Sequence, residues 1–360
     1  MSDNKYYGLI LAGGRGTRFW PRSRKRHAKQ VLSVGLEERT LIQQTVDRLR
    51  PIIPPERIWI LTNGFVRDEI VRQLPDVPPA QIIAEPAQRN TAPAIGVAAH
   101  ILLSIDPNAV FGVFPSDHVI GNPAHYLELV QTAFRSAEEG NIAVLGVQPR
   151  WAETGYGYVE FAADEPRNPQ AVNRVAKFHE KPKKPMAEMY VAAGNYFWNA
   201  GMFFWRAETV LAGLQAYLPK TAALIAGLPT FADSTFSERF ERVFPECEDI
   251  SIDFALLEHA KNVTGVPCDD FGWNDVGSWE AVYELLPRDE QKNSSRSELI
   301  ARASSGNYVD CGKKMVALIG VENLIVVDTP DALLVADRSC AQEVGDLVKQ
   351  LEKMGREDLL

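Results

Sequence analysis

YGLILAGGRGTRFWPRSRKRHAKQ, Tyr7 to Gln30, is the stretch that decides how this 360-residue chain is read. Leu9 to Ala12 form a short apolar run, consistent with a buried first strand, that leads into Gly13, Gly14 and Gly16. Adjacent glycines permit backbone angles that side chains forbid, so an anion can rest directly on main-chain N–H groups. Behind them stand Arg15, Arg18, Arg22, Arg24, Lys25, Arg26 and Lys29, in a chain of net charge −9. Cations gathered beside a glycine turn in an acidic protein suit a polyanion such as phosphate. The same loop can also be a tight strand-to-loop turn with solvated basic residues. It is neither a P-loop, because Gly14 follows Gly13 where lysine belongs, nor a dinucleotide fingerprint, because Phe19 takes the third glycine position.

With 46% hydrophobic residues the chain can bury one large core and a smaller second unit. No apolar run approaches the ~18 residues of a membrane span. The N-terminus MSDNKYYG lacks a signal peptide's basic start and apolar middle. A cytoplasmic protein without membrane association is expected. Cys247, Cys268, Cys311 and Cys340 are scattered without C-x-x-C spacing, which argues against zinc and against a disulfide framework. The negative charge and the absence of a long basic tract disfavour nucleic acid.

Outward from the loop, apolar strand segments at Ile58–Leu61, Ile82–Ala84, Val110–Phe114 and Ile142–Gly146 alternate with helical segments. The helices begin with one capped by Thr40 and continue at Phe65–Leu74, Pro93–Ile105 and Tyr126–Glu139. Such alternation predicts a parallel sheet covered on both faces, with ligands beyond the carboxyl ends of the strands. From Trp151 the pattern changes. Thr154–Phe161 and Val175–Pro182 read as strands, and Asn195–Val210 as a turn, strand and helix. Ser251–Ala260 reads as an amphipathic helix with Asp253 structural, and Val263–Pro267 as a strand. Pro287–Ser305 is polar and reads as a linker; NYVDCG, KKMVALIGV, NLIVVD and ALLVAD then suit a small stacked β unit before a final helix, Ala341–Lys353. The expected division is 1–287 and 288–360.

Three strand ends carry chemistry. Glu85–Ala94 (EPAQRNTAPA) offers Glu85, Arg89, Asn90 and Thr91 at a helix start; a carboxylate with an amide can read guanine, and Asn90 or Thr91 can equally be a cap. Pro115–His118 (PSDH) puts Asp117 at a strand end, where it suits Mg²⁺ on a triphosphate or a plain turn. His118 reads as a structural neighbour. Phe271–Trp279 (FGWNDVGSW) carries Asp275 on an aromatic loop.

LAGGRGTRFWPRSR…KQ closely resembles the signature loop of nucleotide-sugar pyrophosphorylases, and FWPRSR is most similar to the mannose-1-phosphate guanylyltransferases. The resemblance spans nearly the whole chain through five separated motifs. It implies an α/β fold with a Rossmann-like mixed, mostly parallel sheet, helices on both faces, and a short C-terminal β-helix-like unit. It implies nucleotide binding by Leu11, Ala12, Gly13, Gly14, Gly16, Thr17, Arg18, Lys29, Glu85, Asn90, Thr91 and Asp117. Sugar phosphate falls to Gly155, Glu180, Lys181 and Asn199, and Mg²⁺ to Asp117 and Asp275. Catalysis rests on Arg18, Lys29, Asp117 and Asp275. In one departure, Ala28 replaces the family's usual proline, which leaves the Lys29 segment less preorganised.

The implied reaction joins GTP and mannose 1-phosphate into GDP-mannose and pyrophosphate. A pyrophosphorylase for another nucleotide and sugar, and a regulatory subunit that only senses GDP-mannose, are the competing readings. A homodimer through the C-terminal β unit is expected from the resemblance, as is a chain without the cupin-type isomerase domain of longer members.

Overall fold

The structure, a computed structural model, describes residues 5–35, 38–162 and 171–360. The first residues of the N-terminal segment used in the localisation argument therefore lie outside it. Ten strands among the described residues build the larger part: β1 Tyr6–Ala12, β2 Ile58–Asn63, β3 Ile82–Glu85, β4 Val110–Pro115, β5 Val119–Ile120, β6 Ile142–Val147, β7 Tyr158–Phe161, β8 Asn173–His179, β9 Tyr196–Arg206 and β10 Val263–Cys268. Among the described residues all but β5 form one sheet in the order β3-β2-β1-β4-β9-β6-β10-β8-β7. β1 to β4 pair in parallel, as the alternating pattern predicts, and β6 pairs in parallel with β10.

The sheet departs from five adjacent parallel strands at β9, which runs antiparallel between β4 and β6. Side chains of β9 bury on both faces. Phe204 packs against Phe114 and Phe134, while Trp205 faces Phe111 on the other side. A strand with aromatic groups on both faces needs cover on both, so it belongs in the centre of the sheet. β8 likewise runs against its neighbours β7 and β10.

Helices α1 (Leu41–Leu49), α2 (Arg67–Gln73), α3 (Thr91–Ile105) and α4 (Pro123–Glu138) follow the first strands. Ile42 and Val46 of α1 and Leu129 and Val130 of α4 share a core with Ile10, whereas Ile95 and Ile101 of α3 share the opposite core with Leu9. Alternate residues of β1 thus feed the two layers, as the two-residue strand period requires. The amphipathic helix expected at Ser251–Ala260 is instead a five-residue π-helical turn, Asp253–Leu257.

After β11 (Trp273–Asn274) come β12 Ser294–Ser295, β13 Leu299–Arg302, β14 Tyr308–Asp310, β15 Val316–Ile319, β16 Leu324–Asp328 and β17 Leu333–Asp337. β12, β14 and β16 stack in parallel, as do β13 and β15. The supposed linker is therefore part of the β unit. Its polar residues deceive because several point inward: Asn293 Oδ1 accepts from the Asn307 amide and backbone N–H, and both side chains are buried. Satisfied asparagine ladders of this kind are buried at little cost because each polar group is paired. The unit is fastened to the first loop through Trp20, whose indole donates to the Leu359 carbonyl at 3.0 Å, while Trp279, stacked on Tyr308 of the unit, donates to the Trp20 carbonyl at 3.0 Å.

Candidate active site

The carboxyl ends of β1 and β3 open onto a cavity of about 560 Å³. Leu11, Gly13, Gly14, Glu85, Asn90 and Thr91 line it, with Gln88 and Asp249. Gly13 lets the Glu85 carboxylate lie close to the backbone, since a Cβ would stand 3.1 Å from Oε2. Burial pushes the Glu85 carboxyl up to about 8. Asn90 has φ 62° and its side chain accepts from Thr91 N–H at 3.0 Å, so it caps α3 as well as facing the cavity. Thr91 Oγ1 accepts from Ile252 N–H at 2.8 Å. Arg89 is spent on the Pro245 carbonyl and is a structural tie.

At the glycine loop, Gly16 has φ +62°, and a Cβ would collide with Lys29 Cβ at 2.4 Å. Lys29 is buried, and Nζ donates to Asp117 Oδ2 and to the Asp275 carbonyl, each at 2.8 Å. Ala28 sits at φ −67°, the value proline would fix, so replacing proline leaves the folded backbone unchanged here.

The basic run is not a single anion cradle. Arg15 pairs with Glu352 at 2.7 Å, Arg22 with Asp310, Arg24 with Asp331 at 3.1 Å and Lys25 with Glu357 at 2.5 Å, all on the C-terminal unit. The sequence concealed this because every partner lies hundreds of residues away. Arg18 differs: its guanidinium donates to Gln342 Oε1 at 2.6 Å, a neutral amide, and pairs with no carboxylate among the described residues.

Asp117 and Asp275 are far apart in sequence and are brought together by a short antiparallel pairing of β5 with β11, in which Val119 faces Asn274 and Ile120 faces Trp273. Asp117 lies just before β5 and Asp275 just after β11. Burial alone would raise the Asp117 carboxyl, but the Lys29 ammonium outweighs it and holds it below the usual range. Tyr156 Oη donates to Asp275 Oδ1 at 2.6 Å, and burial together with that carboxylate drives the phenol far above its ordinary value. Gly277 clears space for Asp275, since a Cβ there would meet Oδ2 at 2.9 Å. Val276 is held at φ +47°, a strained setting for a β-branched residue, by its N–H bond to Asn274 Oδ1 at 2.7 Å. His118 is pushed down to about 4 by burial, stays neutral, and accepts from the Trp273 indole. It is the structural neighbour expected of it.

Beyond these carboxylates, Glu180 and Lys181 follow β8 directly and pair at 3.0 Å, with Lys181 at φ +45°. Asn199 on β9 receives the Gly201 N–H on Oδ1 at 3.0 Å and donates from Nδ2 to Asp253 at 3.1 Å. Gly157 lies against both: a Cβ would meet Glu180 Oε2 at 2.5 Å. Gly155 sits apart on an exposed loop, donating to Glu153 at 2.8 Å. Sequence reasoning passed over Tyr156 and Gly157 and read Asp253, which here meets Asn199, as structural. The GYGY spacing was the available signal for the first two.

Residues 7–292 match the family described as nucleotidyl transferase, and residues 297–351 match the MannoseP isomerase/GMP-like beta-helix domain. The chain is 36% identical over 356 residues to a mannose-1-phosphate guanylyltransferase of Klebsiella pneumoniae, covering 97% of this chain and 74% of that protein. A protein of the same description from Escherichia coli strain K12 is 35% identical, with 99% and 76% covered. A crystal structure described as a mannose-1-phosphate geranyltransferase of Thermus thermophilus matches with a TM-score of 0.85 at 32% identity, over 97% of this chain and 99% of its own. Among the described residues no helix is long and apolar enough to cross a membrane.

Proposed function

The chain belongs to the mannose-1-phosphate guanylyltransferase family of nucleotidyl transferases, and from that premise we propose that it transfers GMP from GTP to mannose 1-phosphate. One observation carries the reading. Lys29 Nζ ties Asp117 to the Asp275 loop, between a nucleoside-sized cavity on one side and the Glu180–Asn199 cluster on the other.

A phosphate oxygen of mannose 1-phosphate attacks the α-phosphorus of GTP in line. The new P–O bond forms as the α–β bridging bond breaks, and pyrophosphate leaves with that electron pair. No protein nucleophile is required; positioning and charge neutralisation suffice. The backbone from Leu11 to Thr17 cradles the triphosphate, Arg18 and Lys29 neutralise it, and Lys181 holds the incoming phosphate. Glu180 and Asn199 bind sugar hydroxyls, which both donate and accept.

Two carboxylates that each keep an oxygen clear of side-chain partners among the described residues fit Mg²⁺. Tyr156 takes Oδ1 of Asp275 and Lys29 takes Oδ2 of Asp117, which leaves one oxygen on each. Among the described residues no three or more His, Cys, Asp or Glu side chains gather to hold a metal, so a metal here would rely on nucleotide phosphates, as Mg²⁺ commonly does. Bound magnesium would supply charge neutralisation on the triphosphate.

The direct test is pyrophosphate release from mannose 1-phosphate with each nucleoside triphosphate in turn, with Mg²⁺ and then with EDTA. Release with GTP alone, abolished by EDTA, is expected. Preference for another nucleotide would reject guanine, and silence from a folded protein that still binds GDP-mannose would make it a sensor.

Glu85 adds a proton signature. Its carboxyl titrates near 8, so it is largely protonated at neutral pH in the free protein. Guanine N1–H and its amino group donate hydrogen bonds, which favour the ionised form. Binding of GDP-mannose at pH 7 should therefore release a proton, and the release should fade as the pH rises past 8. Calorimetry in buffers of different ionisation enthalpy reads this directly. Glu85→Gln should abolish it.

A further inference from the structure

We infer that Asp253 is a sugar-reading residue, a third hydrogen-bonding side chain beside Glu180 and Asn199 that receives a hydroxyl of the hexose. The inference rests on the proposed function and deepens it. Asp253 opens the π-helical turn Asp253–Leu257, a rare geometry that recurs at functional sites. One carboxylate oxygen, Oδ1, accepts from Asn199 Nδ2 at 3.1 Å. The carboxylate also takes hydrogen bonds from its own backbone N–H and from the Ser251 side chain, and of its roughly four acceptor positions one is left for a ligand hydroxyl.

The surroundings explain why an acid is kept here. Asn199 Oδ1 already takes the Gly201 N–H on one lone pair, so the amide keeps a single acceptor position for a ligand. Glu180 is mostly shielded and shares its charge with Lys181. A hexose has several hydroxyl protons to place, and Asp253 adds acceptor capacity beyond the one position left on Asn199. Gly157 lets Glu180 and Asn199 pack close together here, because a Cβ would stand 2.5 Å from Glu180 Oε2 and 3.5 Å from Asn199 Cβ. Burial, reinforced by Glu180, lifts the Asp253 carboxyl to about 6, so it still carries charge at neutral pH. A simple surface acid would not be held so close to a second carboxylate.

The chain leading to Asp253 also touches the nucleoside end. Asp249 lines the cavity, the Ile250 carbonyl accepts from Ala92 N–H at 3.1 Å, and Ile252 N–H donates to Thr91 at 2.8 Å. This segment therefore runs from the base pocket to the hexose readers and fixes the position of one relative to the other. Asp253 ends it on the sugar side.

Calorimetric titration of wild-type protein, Asp253→Asn and Asp253→Ser with GDP and with GDP-mannose separates the roles. Asparagine can still accept from Asn199 but loses the charged second acceptor. Asp253→Asn should bind GDP-mannose about tenfold or more weakly, the usual scale for a hydrogen bond to a charged group, while GDP binds within about twofold of wild type. Asp253→Ser serves if the asparagine variant does not fold, with the same separation expected. A residue that merely holds Asn199 would leave Asp253→Asn indistinguishable from wild type toward GDP-mannose, and that result overturns the inference alone. An equal loss for GDP and GDP-mannose overturns it too, because the effect would not belong to the sugar. Wild-type protein that binds neither nucleotide overturns the proposed function, and this inference with it.

Discussion

Asp275→Asn should turn over GTP and mannose 1-phosphate about 10²-fold more slowly than wild type, the scale of losing one preorganised electrostatic partner. Asparagine fits the site without disturbing it. Its oxygen can still accept from Tyr156, which now reaches Oδ1 at 2.6 Å. The volume next to Gly277 is unchanged, and the backbone carbonyl that Lys29 grips stays in place. What disappears is one negative charge and one hard oxygen. The loss should therefore appear as weaker divalent binding, measured by Mn²⁺ paramagnetic resonance in the presence of GTP, with thermal unfolding unaltered. Near-normal turnover of the variant at limiting Mg²⁺ would remove Asp275 from the metal site. The strain at Val276 makes the argument sharper. A β-branched residue at φ +47° is sustained only where its surroundings overdetermine it, and here it shapes the turn that presents Asp275.

The site was legible in the sequence where chemistry follows buried parallel strands. β1, β3 and β4 end in glycine, glutamate and aspartate motifs, and their apolar runs fix where the carboxyl ends must lie. The direction of β9 was not legible. Nothing in NYFWNAGMFFW says that β9 runs against β4; only the two-sided burial of Phe204 and Trp205 shows why it lies in the centre. Long-range ion pairs were hidden as well. The cations at Arg15, Arg22, Arg24 and Lys25 read as an anion cradle until their partners at Glu352, Asp310, Asp331 and Glu357 are seen. Arg18 could not be told from them by sequence, although its neutral partner sets it apart. The polar stretch around Asn293 was misjudged for the opposite reason, since composition reports polarity and not whether a polar group is paired inside. Asp253 was read as structural within an amphipathic helix, and the π-helical turn found in place of that helix brings it to Asn199.

Lys29→Met is the second large effect expected, and it should act on rate and on stability through the same nitrogen. Methionine keeps the unbranched apolar stem, so packing beneath Gly16 survives, while the cation–π contact of Nζ with the Phe19 ring is lost. The ammonium is lost, and with it two hydrogen bonds of 2.8 Å, one to Asp117 and one to the Asp275 carbonyl. Turnover should fall about 10² to 10³-fold, because a triphosphate loses a buried cation that needs no reorganisation to meet it. Stability should fall by about 1–3 kcal/mol, the range for a buried group left without its partner. It stays below the larger penalty of a fully buried ion pair because the Asp117 side chain is 34% exposed. The pH dependence identifies the pair. Asp117 titrates below its ordinary 3.8 in the folded protein, so the stability it contributes is complete above that value and disappears as the pH falls through the folded pKa. Wild type and Lys29→Met should therefore differ in urea midpoint at pH 7 and converge as the pH drops below 3.8. A variant destabilised equally at every pH would mean that the Asp275 carbonyl, and not Asp117, is the partner that matters. A variant that loses stability but keeps its rate would make Lys29 a tie between two loops and return the phosphate role to Arg18 alone.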